Sequence, residues 1–463
     1  MTRRHRGNSL RRAWPSSRAV KALVLAATSA CAPATPTPTP VPPPATQMQP
    51  GFPPEAARCD ARWSDAHDLL STDGRPAYIE TPSLAVVGDT LLLAGTPSFF
   101  WATTHTFDPA PGPSRADTVA YFDRLGRNFS NVGLALDRNM RASGIRFPAR
   151  LRGLVERAAV ARDSAGGVHL YWMNPQGDST ALWHARREGA DWTVQERLLS
   201  TTRLLWQPGG GDVRAGVGGG RDVHVAVPFV RSGTGAGVAY LRTGASVSRT
   251  VLHFHGSRPT HASVLPYARD SVLIAFTATD VASVTHLFLI RASANDTAFP
   301  AERRIHSSAA RFASFPRLFH ESSANGGRFG VLWASAASSA GGADSLHVML
   351  SSDGAMWTSP ASVAHPARVG HLSSVTPAAG GIQGVTYSTR DGAPIVWFDW
   401  SDGAWQRVEP LPFADVASRP SLMSARSDSL LLMWGVERPS RFRAPEVQSA
   451  PASRYAWRVT SCP

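Results

Sequence analysis

Residues 349–357 read MLSSDGAMW, a stretch that sets an Asp-Gly pair between an apolar run and a tryptophan. Glycine adopts positive φ without steric cost and Asp can accept hydrogen bonds from its own backbone, so the pair predicts a tight turn. Two more stretches place an acidic residue before Gly and a Trp two or three positions later, HARREGADW at 184–192 and FDWSDGAW at 398–405. A turn that recurs in this way indicates a repeated structural unit.

Short apolar runs recur with the turns. After a first gap of about 77 residues, they follow one another at intervals of roughly 45 to 60 residues. Runs of about five residues that are rich in Val, Leu and aromatic residues and bounded by Gly, Asp and Ser are typical of buried strands. The runs are LLLAG (91–95), VHLYW (168–172), VHVAV (223–227), VLIAF (272–276), FGVLW (329–333), GVTY (384–387) and LLLMW (430–434).

A proline precedes several of these runs by about 8 to 17 residues. Proline is tolerated at the first residue of a strand, where its missing N–H does least harm. We therefore expect each unit to begin at a proline and to place the Asp-Gly turn between its third and fourth strands. The proline segments are ETPSL (80–84), SRPTH (257–261), SFPRL (314–318), SVTPA (374–378) and SRPSL (418–422).

Four-stranded units of about 50 residues repeated around a ring predict an all-β fold, the β-propeller. We count seven blades, with six as the alternative count. The last unit, from Ser418, offers three strands, so we expect ARWSDAHDL (61–69) to supply the fourth strand and to close the ring. This closure would put Cys59 and Cys462 on adjacent strands, where a disulfide needs Cα atoms about 4.4 to 6.8 Å apart.

The N-terminal residues predict export. Seven Lys or Arg residues and no acidic residue precede Cys31, and a short apolar run ends in small residues, so we interpret residues 1–30 as a signal peptide. The run has about nine residues, whereas a membrane-spanning helix needs about 20. Thr28-Ser29-Ala30-Cys31 resembles the lipobox of bacterial lipoproteins, which implies a lipid on Cys31; the alternative is ordinary cleavage after Ala30.

Residues 31–57 are rich in Pro and Thr and predict an extended tether, and residues 58–463 form the predicted propeller domain. With a lipid on Cys31, the protein is expected at the bacterial cell envelope, anchored to the outer membrane or facing the periplasm, and in contact with the membrane through the anchor alone. Three cysteines leave Cys59 and Cys462 as one pair once Cys31 is acylated.

The charge of the chain does not favour nucleic-acid binding. The formal net charge is +13 at pH 7, but seven positive charges lie before Cys31, which leaves +6 for the rest. A surface for nucleic acid needs its basic residues clustered on one face. The arginines here are scattered along the chain, so we expect no nucleic-acid partner.

SSDGAMW, with REGADW and WSDGAW, resembles the Asp-box or BNR turn of sialidase-like β-propellers. The resemblance implies that Ser351 and Asp353 bond to the hairpin backbone, that Gly354 makes the turn, and that Trp357 packs against the neighbouring sheet. Catalytic members of this family have three arginines that bind a substrate carboxylate, one of them in a Phe/Tyr-Arg-Ile-Pro motif. Here the first corner reads YIETP (78–82), with Glu80 where the family has arginine; IRFP at 145–148 is the alternative equivalent.

Two sets of residues are candidates for such a site. Arg258, Arg317 and Arg419 stand beside the proline corners and would bind a carboxylate or a sulfated sugar if they converge on the centre of the ring; the alternative is that each bonds to a nearby carbonyl. Tyr387 with Glu80 or Asp391 would form the nucleophile pair of a sialidase-type hydrolase. The alternative for Tyr387 is an ordinary position in a blade strand.

Metal and cofactor sites are not predicted. His253, His255 and His261 lie close together in HFHGSRPTH, but a metal site needs further ligands at fixed distances. We expect His253 and His255 to be exposed on a surface strand and His261 to lie in a loop. The sequence has no Gly-rich phosphate loop, GxSxG or HExxH motif.

The leading hypothesis is an exported, monomeric, non-catalytic propeller that binds a glycan or a protein ligand. One alternative is a sialidase-type exo-glycoside hydrolase with rearranged catalytic residues. Another is a scaffold subunit of an envelope complex. A propeller fold does not decide among them, because propellers have many functions.

Overall fold

The computed structural model describes residues 62–71, 80–87, 90–96, 133–136, 141–144, 157–176, 178–188, 191–192, 195–205, 212–216, 222–244, 248–308, 312–321, 327–336, 343–369, 371–378, 381–387, 394–413, 420–426, 429–436 and 452–459. The predicted signal peptide and tether, and the three cysteines, lie outside these residues. Export, lipidation and the disulfide therefore stay predictions. Among the described residues, no helix is long and apolar enough to cross a bilayer.

All regular elements of the described residues are strands. In chain order they are β1 (His67–Asp68), β2 (Leu70–Ser71), β3 (Glu80–Val87), β4 (Thr90–Thr96), β5 (Gly133–Leu136), β6 (Arg141–Gly144), β7 (Arg157–Arg162), β8 (Val168–Gln176), β9 (Ser179–Glu188), β10 (Asp191–Trp192), β11 (Glu196–Thr201), β12 (Arg203–Leu204), β13 (Val213–Ala215), β14 (Val223–Arg231), β15 (Gly235–Thr243), β16 (Ser248–His255), β17 (Arg258–Ala268), β18 (Ser271–Thr279), β19 (Thr285–Ser293), β20 (Arg303–Ser308), β21 (Phe312–Glu321), β22 (Arg328–Ala336), β23 (Ala343–Ser351), β24 (Ala361–Val369), β25 (His371–Ala378), β26 (Gly381–Tyr387), β27 (Val396–Ser401), β28 (Ala404–Pro410), β29 (Ser421–Arg426), β30 (Ser429–Val436) and β31 (Ala452–Val459).

These strands form seven sheets, and each sheet is one blade. Within a blade, strands that follow one another in the chain are neighbours, and the first strand lies innermost. The blades are β3–β6 with β2 (blade 1), β7–β11 (blade 2), β12–β16 (blade 3), β17–β20 (blade 4), β21–β24 (blade 5), β25–β28 (blade 6), and β29–β31 with β1 (blade 7). Six blades are wholly antiparallel; in blade 1, β2 runs parallel to β6. The first strand of blade 3 and the fourth of blade 2 are each in two pieces.

The blades form a closed ring. The innermost strand of each blade contacts that of the next blade, in the order β3, β7, β13, β17, β21, β25 and β29, and β29 contacts β3. The sequence predicts seven units, and the described strands form seven sheets in this ring. The predicted β-propeller is confirmed.

The N-terminal residues close the ring. His67 of β1 pairs with Tyr455 of β31 in antiparallel register, and Trp63 forms a bridge with Arg458. The next strand, β2, pairs with β6 of blade 1. Residues 63–71 therefore join the last blade to the first, which confirms the predicted closure by an N-terminal strand.

The second strand of a blade is the most deeply buried. Every residue of β26 and of β30 is buried, because both faces of these strands pack against neighbouring blades. This is why the apolar runs are continuous and do not alternate with polar residues. The core lies between blades: Leu273 and Leu287 of blade 4, for example, pack with Val331 and Trp333 of blade 5.

Each blade is a meander that starts at the centre, so all first strands begin on one side of the ring, which we call the upper face. The turns between second and third strands lie on the same face, and the turns between third and fourth strands lie on the opposite, lower face. The prolines mark interruptions of the first strands. Register shifts occur in β3 between Glu80 and Ser83, in β17 between Pro259 and His261, and in β21 between Ser314 and Arg317.

One proline segment departs from the expected position. Pro377 lies near the end of β25, opposite Ile382, and not at the start of the strand. The innermost strand of a blade has a sheet partner on one side only, so a missing N–H on its free side costs no ladder hydrogen bond.

Candidate functional site

A pocket on the upper face lies between the first strands of blades 3, 4 and 5. We call it the inner pocket. The two pieces of the first strand of blade 3 flank it, and β14, β17 and β21 complete it. Its lining residues are Leu205, Asp212, Ala226, Pro228, His261, Ala262, Phe315 and Arg317.

Phe315 enters the pocket from a β-bulge in β21. Its φ is 55°, a left-handed value that is costly for a bulky side chain. The bulge separates Ser314 from Arg317 in the ladder with β22, and the Leu318 N–H donates to Ser263 Oγ of blade 4 at 3.0 Å. The neighbouring blade therefore stabilises a backbone shape that the local sequence alone disfavours. Bulges of this kind re-aim side chains next to functional sites.

His261 and Phe315 form the aromatic part of the pocket. Their ring centroids are 4.0 Å apart. His261 Nδ1 lies 3.1 Å from Thr260 Oγ1, which in turn lies 3.1 Å from Thr277 Oγ1 on β18. The prediction that His261 lies in a loop was wrong: it belongs to β17, because the bulge at Thr260 allows the strand to begin before it.

Charged groups of both signs are buried here. Asp212 precedes β13, its carbonyl accepts from Ala226 N–H at 2.8 Å, and its side chain is buried. Arg317 is also buried, and its Nη1 donates to the carbonyl of Pro316 at 3.1 Å. Burial lowers the pKa of nearby Arg214, while the charge of Asp212 acts in the opposite direction. A guanidinium, a carboxylate and an aromatic surface thus lie together in the wall of a cavity of about 10 Å³, which has room for about one water molecule.

The structure brings one of the three predicted arginines into this pocket. Arg317 lines it, whereas Arg258 is exposed at the first residue of β17 and is absent from the lining. Arg419 lies outside the described residues. A cluster of all three arginines therefore stays a prediction.

The predicted nucleophile pair is separated between blades. Tyr387 is buried at the end of β26 in blade 6, opposite His371. The backbone of Glu80 begins β3 in blade 1, opposite Thr96. Tyr387 does not line the inner pocket, and the side chain of Glu80 is outside the described part of the chain. Asp391 and residues 145–148 lie outside the described residues, so the catalytic pair also stays a prediction.

The turn after β23 has a dense set of hydrogen bonds. Asp353 Oδ1 accepts from the N–H groups of Ala355 and Met356 at 2.8 and 2.9 Å and from Ser351 Oγ at 3.0 Å. Gly354 donates its N–H to Ser351 Oγ at 2.8 Å and has a φ of 73°. The two backbone donors and Ser351 lower the pKa of Asp353 to about 2. The carboxylate therefore stays ionised and holds the turn.

This turn also joins two blades on the lower face. Trp357 packs against the apolar cluster shared by blades 4 and 5. From blade 4, Arg291 Nη1 donates to the carbonyl of Asp353 at 3.0 Å and Arg303 Nη1 to that of Ala355 at 2.6 Å. The turn thus contributes to structure and lies on the face opposite the inner pocket.

The two histidines of β16 interact with a carboxylate. Both His253 and His255 are partly buried, and their Nε2 atoms lie 2.6 and 3.5 Å from the carboxylate of Glu302. The expectation that they are exposed was wrong, because the segment after β19 covers them. In the described part of the chain, no group of three His, Cys, Asp or Glu side chains has the arrangement of a metal site.

Sequence reasoning missed two Asp–His pairs. Asp163 Oδ2 lies 3.3 Å from His169 Nε2, and Asp280 Oδ2 lies 3.0 Å from His286 Nε2. In both, Oδ1 of the Asp accepts from the N–H groups two and four residues further on. The signal was present in the sequence as two copies of Asp-x5-His-Leu, at 163–170 and 280–287.

Comparisons with known proteins identify no family. No family model and no curated protein matches the chain. Among solved structures, a protein of unknown function from Dyadobacter fermentans is 12% identical with a TM-score of 0.44, covering 65% of this chain and 94% of its own. An ulvan lyase bound to a GlcA–Rha3S saccharide is 11% identical with a TM-score of 0.47, covering 81% and 93%. A Hadza microbial sialidase is 12% identical with a TM-score of 0.37, covering 65% and 70%.

Proposed function

We propose that this chain is an exported, monomeric β-propeller that binds a glycan through the inner pocket, without catalysis, while a lipid on Cys31 and the tether at 31–57 hold it at a bacterial envelope. A protein ligand at the same pocket is the alternative. The observation that carries the proposal is the bulge in β21, which holds Phe315 in a left-handed conformation beside His261. Backbone strain of this kind is typical of functional sites.

The chemistry of the pocket suits a sugar. A sugar ring has apolar C–H faces that pack on aromatic rings, and hydroxyl groups that both donate and accept hydrogen bonds. Phe315 and His261 offer the aromatic surface. Arg317 donates and Asp212 accepts, and charged partners make stronger hydrogen bonds than neutral ones. The cavity of about 10 Å³ has room for a single hydroxyl group, so in this proposal one hydroxyl of the sugar enters the pocket and the rest of the ring lies outside it.

The pocket is tested by binding to a glycan array, followed by calorimetry on any sugar that binds. Arg317→Met should weaken binding by about tenfold or more, because a charge-assisted hydrogen bond is worth roughly 1.5–3 kcal/mol. Arg258→Met is the matched control, because Arg258 is exposed on a neighbouring first strand outside the pocket. Equal losses of glycan affinity in the two variants would show that the glycan does not bind in the inner pocket. A mature chain that captures no glycan would overturn the glycan proposal.

Catalysis is tested on the same preparation. We expect no hydrolysis of a fluorogenic sialoside, because Tyr387 lies outside the lining of the pocket and the strand of Glu80 belongs to another blade. Sialoside hydrolysis that disappears in Tyr387→Phe would replace the binding proposal with a hydrolase.

The envelope location is tested by fractionation. The wild-type chain should partition into the detergent phase of Triton X-114, and Cys31→Ala should leave it in the aqueous phase, because the predicted lipid is the only membrane contact that we propose. A wild-type chain that stays in the aqueous phase would contradict lipidation and leave ordinary cleavage after Ala30.

A further inference from the structure

A second group of reactive side chains lies in the outer half of blade 4, apart from the inner pocket. Ser307 Oγ is 2.9 Å from His286 Nδ1, and His286 Nε2 is 3.0 Å from Asp280 Oδ2. The ring of His286 is buried, whereas Ser307 is exposed. A hydroxyl, an imidazole and a carboxylate thus form a continuous hydrogen-bonded series that ends at the solvent.

The blade itself fixes this geometry. His286 on β19 and Ser307 on β20 are direct partners in the antiparallel ladder. Asp280 follows β18 in the turn to β19, and its Oδ1 accepts from the N–H groups of Ala282 and Val284, both at 2.9 Å. Those bonds leave Oδ2 for the imidazole. Ser283 in the same turn has a φ of 62°, so the turn holds a conformation that non-glycine residues rarely adopt.

The charge states suit proton transfer from the serine. The hydrogen bonds from His286 and from the turn backbone lower the pKa of Asp280, so the carboxylate is ionised at neutral pH. An ionised Asp280 accepts the Nε2–H of His286, and in that tautomer Nδ1 can accept the Ser307 proton. A nucleophile, a base within hydrogen-bond reach and a group that orients the base are the requirements for an activated serine.

We propose that Ser307, His286 and Asp280 form an acyl-transfer site that hydrolyses small carboxylic esters. Ser307 Oγ bonds to the carbonyl carbon as its proton moves to His286 Nδ1. The carbon–oxygen bond to the alcohol then breaks, and the alcohol leaves with that proton. Water attacks the acyl-serine in the same way, gives a proton to His286, and releases the carboxylic acid and a restored Ser307.

The surroundings of Ser307 favour a substrate with a short acyl group, attached as an ester to a larger molecule that can reach the surface of the blade. β20 pairs with β19 alone among the described strands, so every second N–H of β20 points away from the sheet and can donate to a developing oxyanion. The ring of Phe288 lies 5.9 Å from that of His286 and gives the site an apolar side. An acetyl ester on a larger molecule meets these requirements, since the site is open to solvent at Ser307.

Blade 5 supplies a matched control within the same chain. His347 and Ser362 are ladder partners in the third and fourth strands, and His347 Nδ1 lies 2.6 Å from Ser362 Oγ. Here, however, the group 2.6 Å from His347 Nε2 is the hydroxyl of Ser335. The serine and histidine are the same, and a neutral hydroxyl takes the position that the Asp280 carboxylate has beside His286. We therefore expect Ser307, and not Ser362, to be activated.

The mature chain should react with a fluorophosphonate probe at Ser307 and should hydrolyse p-nitrophenyl acetate. Peptide mapping by mass spectrometry locates the probe. Ser307→Ala should abolish both reactions, Ser362→Ala should leave both unchanged, and His286→Gln should slow both by about 100-fold or more, the usual contribution of a general base. No label on the wild-type chain, or equal losses in Ser307→Ala and Ser362→Ala, would overturn the proposal.

Asp280 acts as a positioning residue, and Asp280→Asn isolates that role. Asparagine keeps an Oδ1 acceptor for the turn and replaces Oδ2 with an amide that cannot accept from His286. The turnover number should fall by about 10-fold or more with the KM and the melting temperature unchanged, and Asp280→Glu should recover part of the loss. Unchanged turnover in Asp280→Asn would contradict the proposal even where His286→Gln fails to fold.

Discussion

Gly354 and Gly330 both lie in blade 5, but a side chain is unfavourable at each for a different reason. A Cβ at Gly354 would make ordinary contact with Phe329 at 3.5 Å, so only the φ of 73° opposes substitution. A Cβ at Gly330 would overlap the ring of Phe319, which is itself buried. The first glycine is therefore required by the backbone, and the second by packing.

These two causes predict different responses to substitution. Gly354→Ala should cost about 1–2 kcal/mol of unfolding free energy, the usual cost of a left-handed residue. Gly354→Asn should cost less, since Asn adopts that conformation more readily. Gly330→Ala should cost about 1–3 kcal/mol or more through overpacking. Denaturant unfolding measures all three. Equal stability of the Ala and Asn variants at 354 would show that φ is not the cause.

Two buried histidines make the protein sensitive to acid. Burial is the main cause that lowers the pKa of His169 to about 4 and the pKa of His224 to about 4. In the unfolded chain both take up a proton near pH 6.5. Between these values the unfolded state binds more protons than the folded state, so the free energy of unfolding falls as the pH decreases from about 6.5 to about 4.

Each histidine can contribute up to about 3 kcal/mol to this loss, at 1.36 kcal/mol per pKa unit. Urea unfolding at pH 7.0 and pH 4.5 measures the difference. His169→Gln and His224→Gln should each reduce it, because glutamine does not titrate. The carboxylates with lowered pKa values, such as Asp163, lose their contribution at lower pH. If the change in unfolding free energy between the two pH values is the same in both variants as in the wild type, these histidines are not its cause.

At the level of strands, the sequence predicted the blades well and the pocket poorly. Apolar runs such as 430–434 occur because both faces of a second strand are buried, so a local pattern reports the position of the strand. The pocket depends on register shifts in β17 and β21, and a single inserted residue changes which side chains face inward. The left-handed conformation of Phe315 depends on contacts with blade 4, which no local pattern contains.

The strand that closes the ring should depend on apolar contact more than on charge. Trp63 packs edge-on against Trp397 of blade 6, with ring centroids 6.3 Å apart, and Arg458 lies over the ring of Trp397 at 4.2 Å. By contrast, the ion pair of Asp68 and Arg454 is 2.8 Å long but partly exposed. Burial of aromatic surface outweighs an exposed ion pair.

We therefore expect Trp63→Ala to lower the unfolding free energy by about 2 kcal/mol, less than the 3–5 kcal/mol usual for a fully buried aromatic residue because Trp63 is half-buried. Asp68→Ala should cost about 0.5 kcal/mol or less. Thermal unfolding of the two variants compares the contributions. A larger loss in Asp68→Ala would mean that the ion pair closes the ring.

For the whole molecule, closing the ring requires contacts between residues that are far apart in the sequence, and local sequence patterns do not determine such contacts. The strand pair β1–β31 joins residues almost 400 positions apart, and contacts of such separation form slowly because the intervening chain must first be ordered. Blade 7 has three strands without β1. A covalent link near this pair would keep the ends together while the ring forms.

Cys59 and Cys462 can provide that link. Trp63 and Arg458 form an antiparallel bridge, and Cys59 and Cys462 stand four residues before and four residues after it in the sequence, so the predicted disulfide would link the chain beside this bridge. Opposite residues in an antiparallel pair have Cα atoms about 4.5–5.5 Å apart, within the range of a disulfide. In the chain-entropy account, a crosslink that closes a loop of about 400 residues stabilises the fold by about 6 kcal/mol. Peptide mapping without reductant should recover the two cysteines in one crosslinked peptide, and the double variant to Ser should unfold at lower denaturant. Free thiols at both positions in the exported protein would refute the link and leave β1 alone to close the ring.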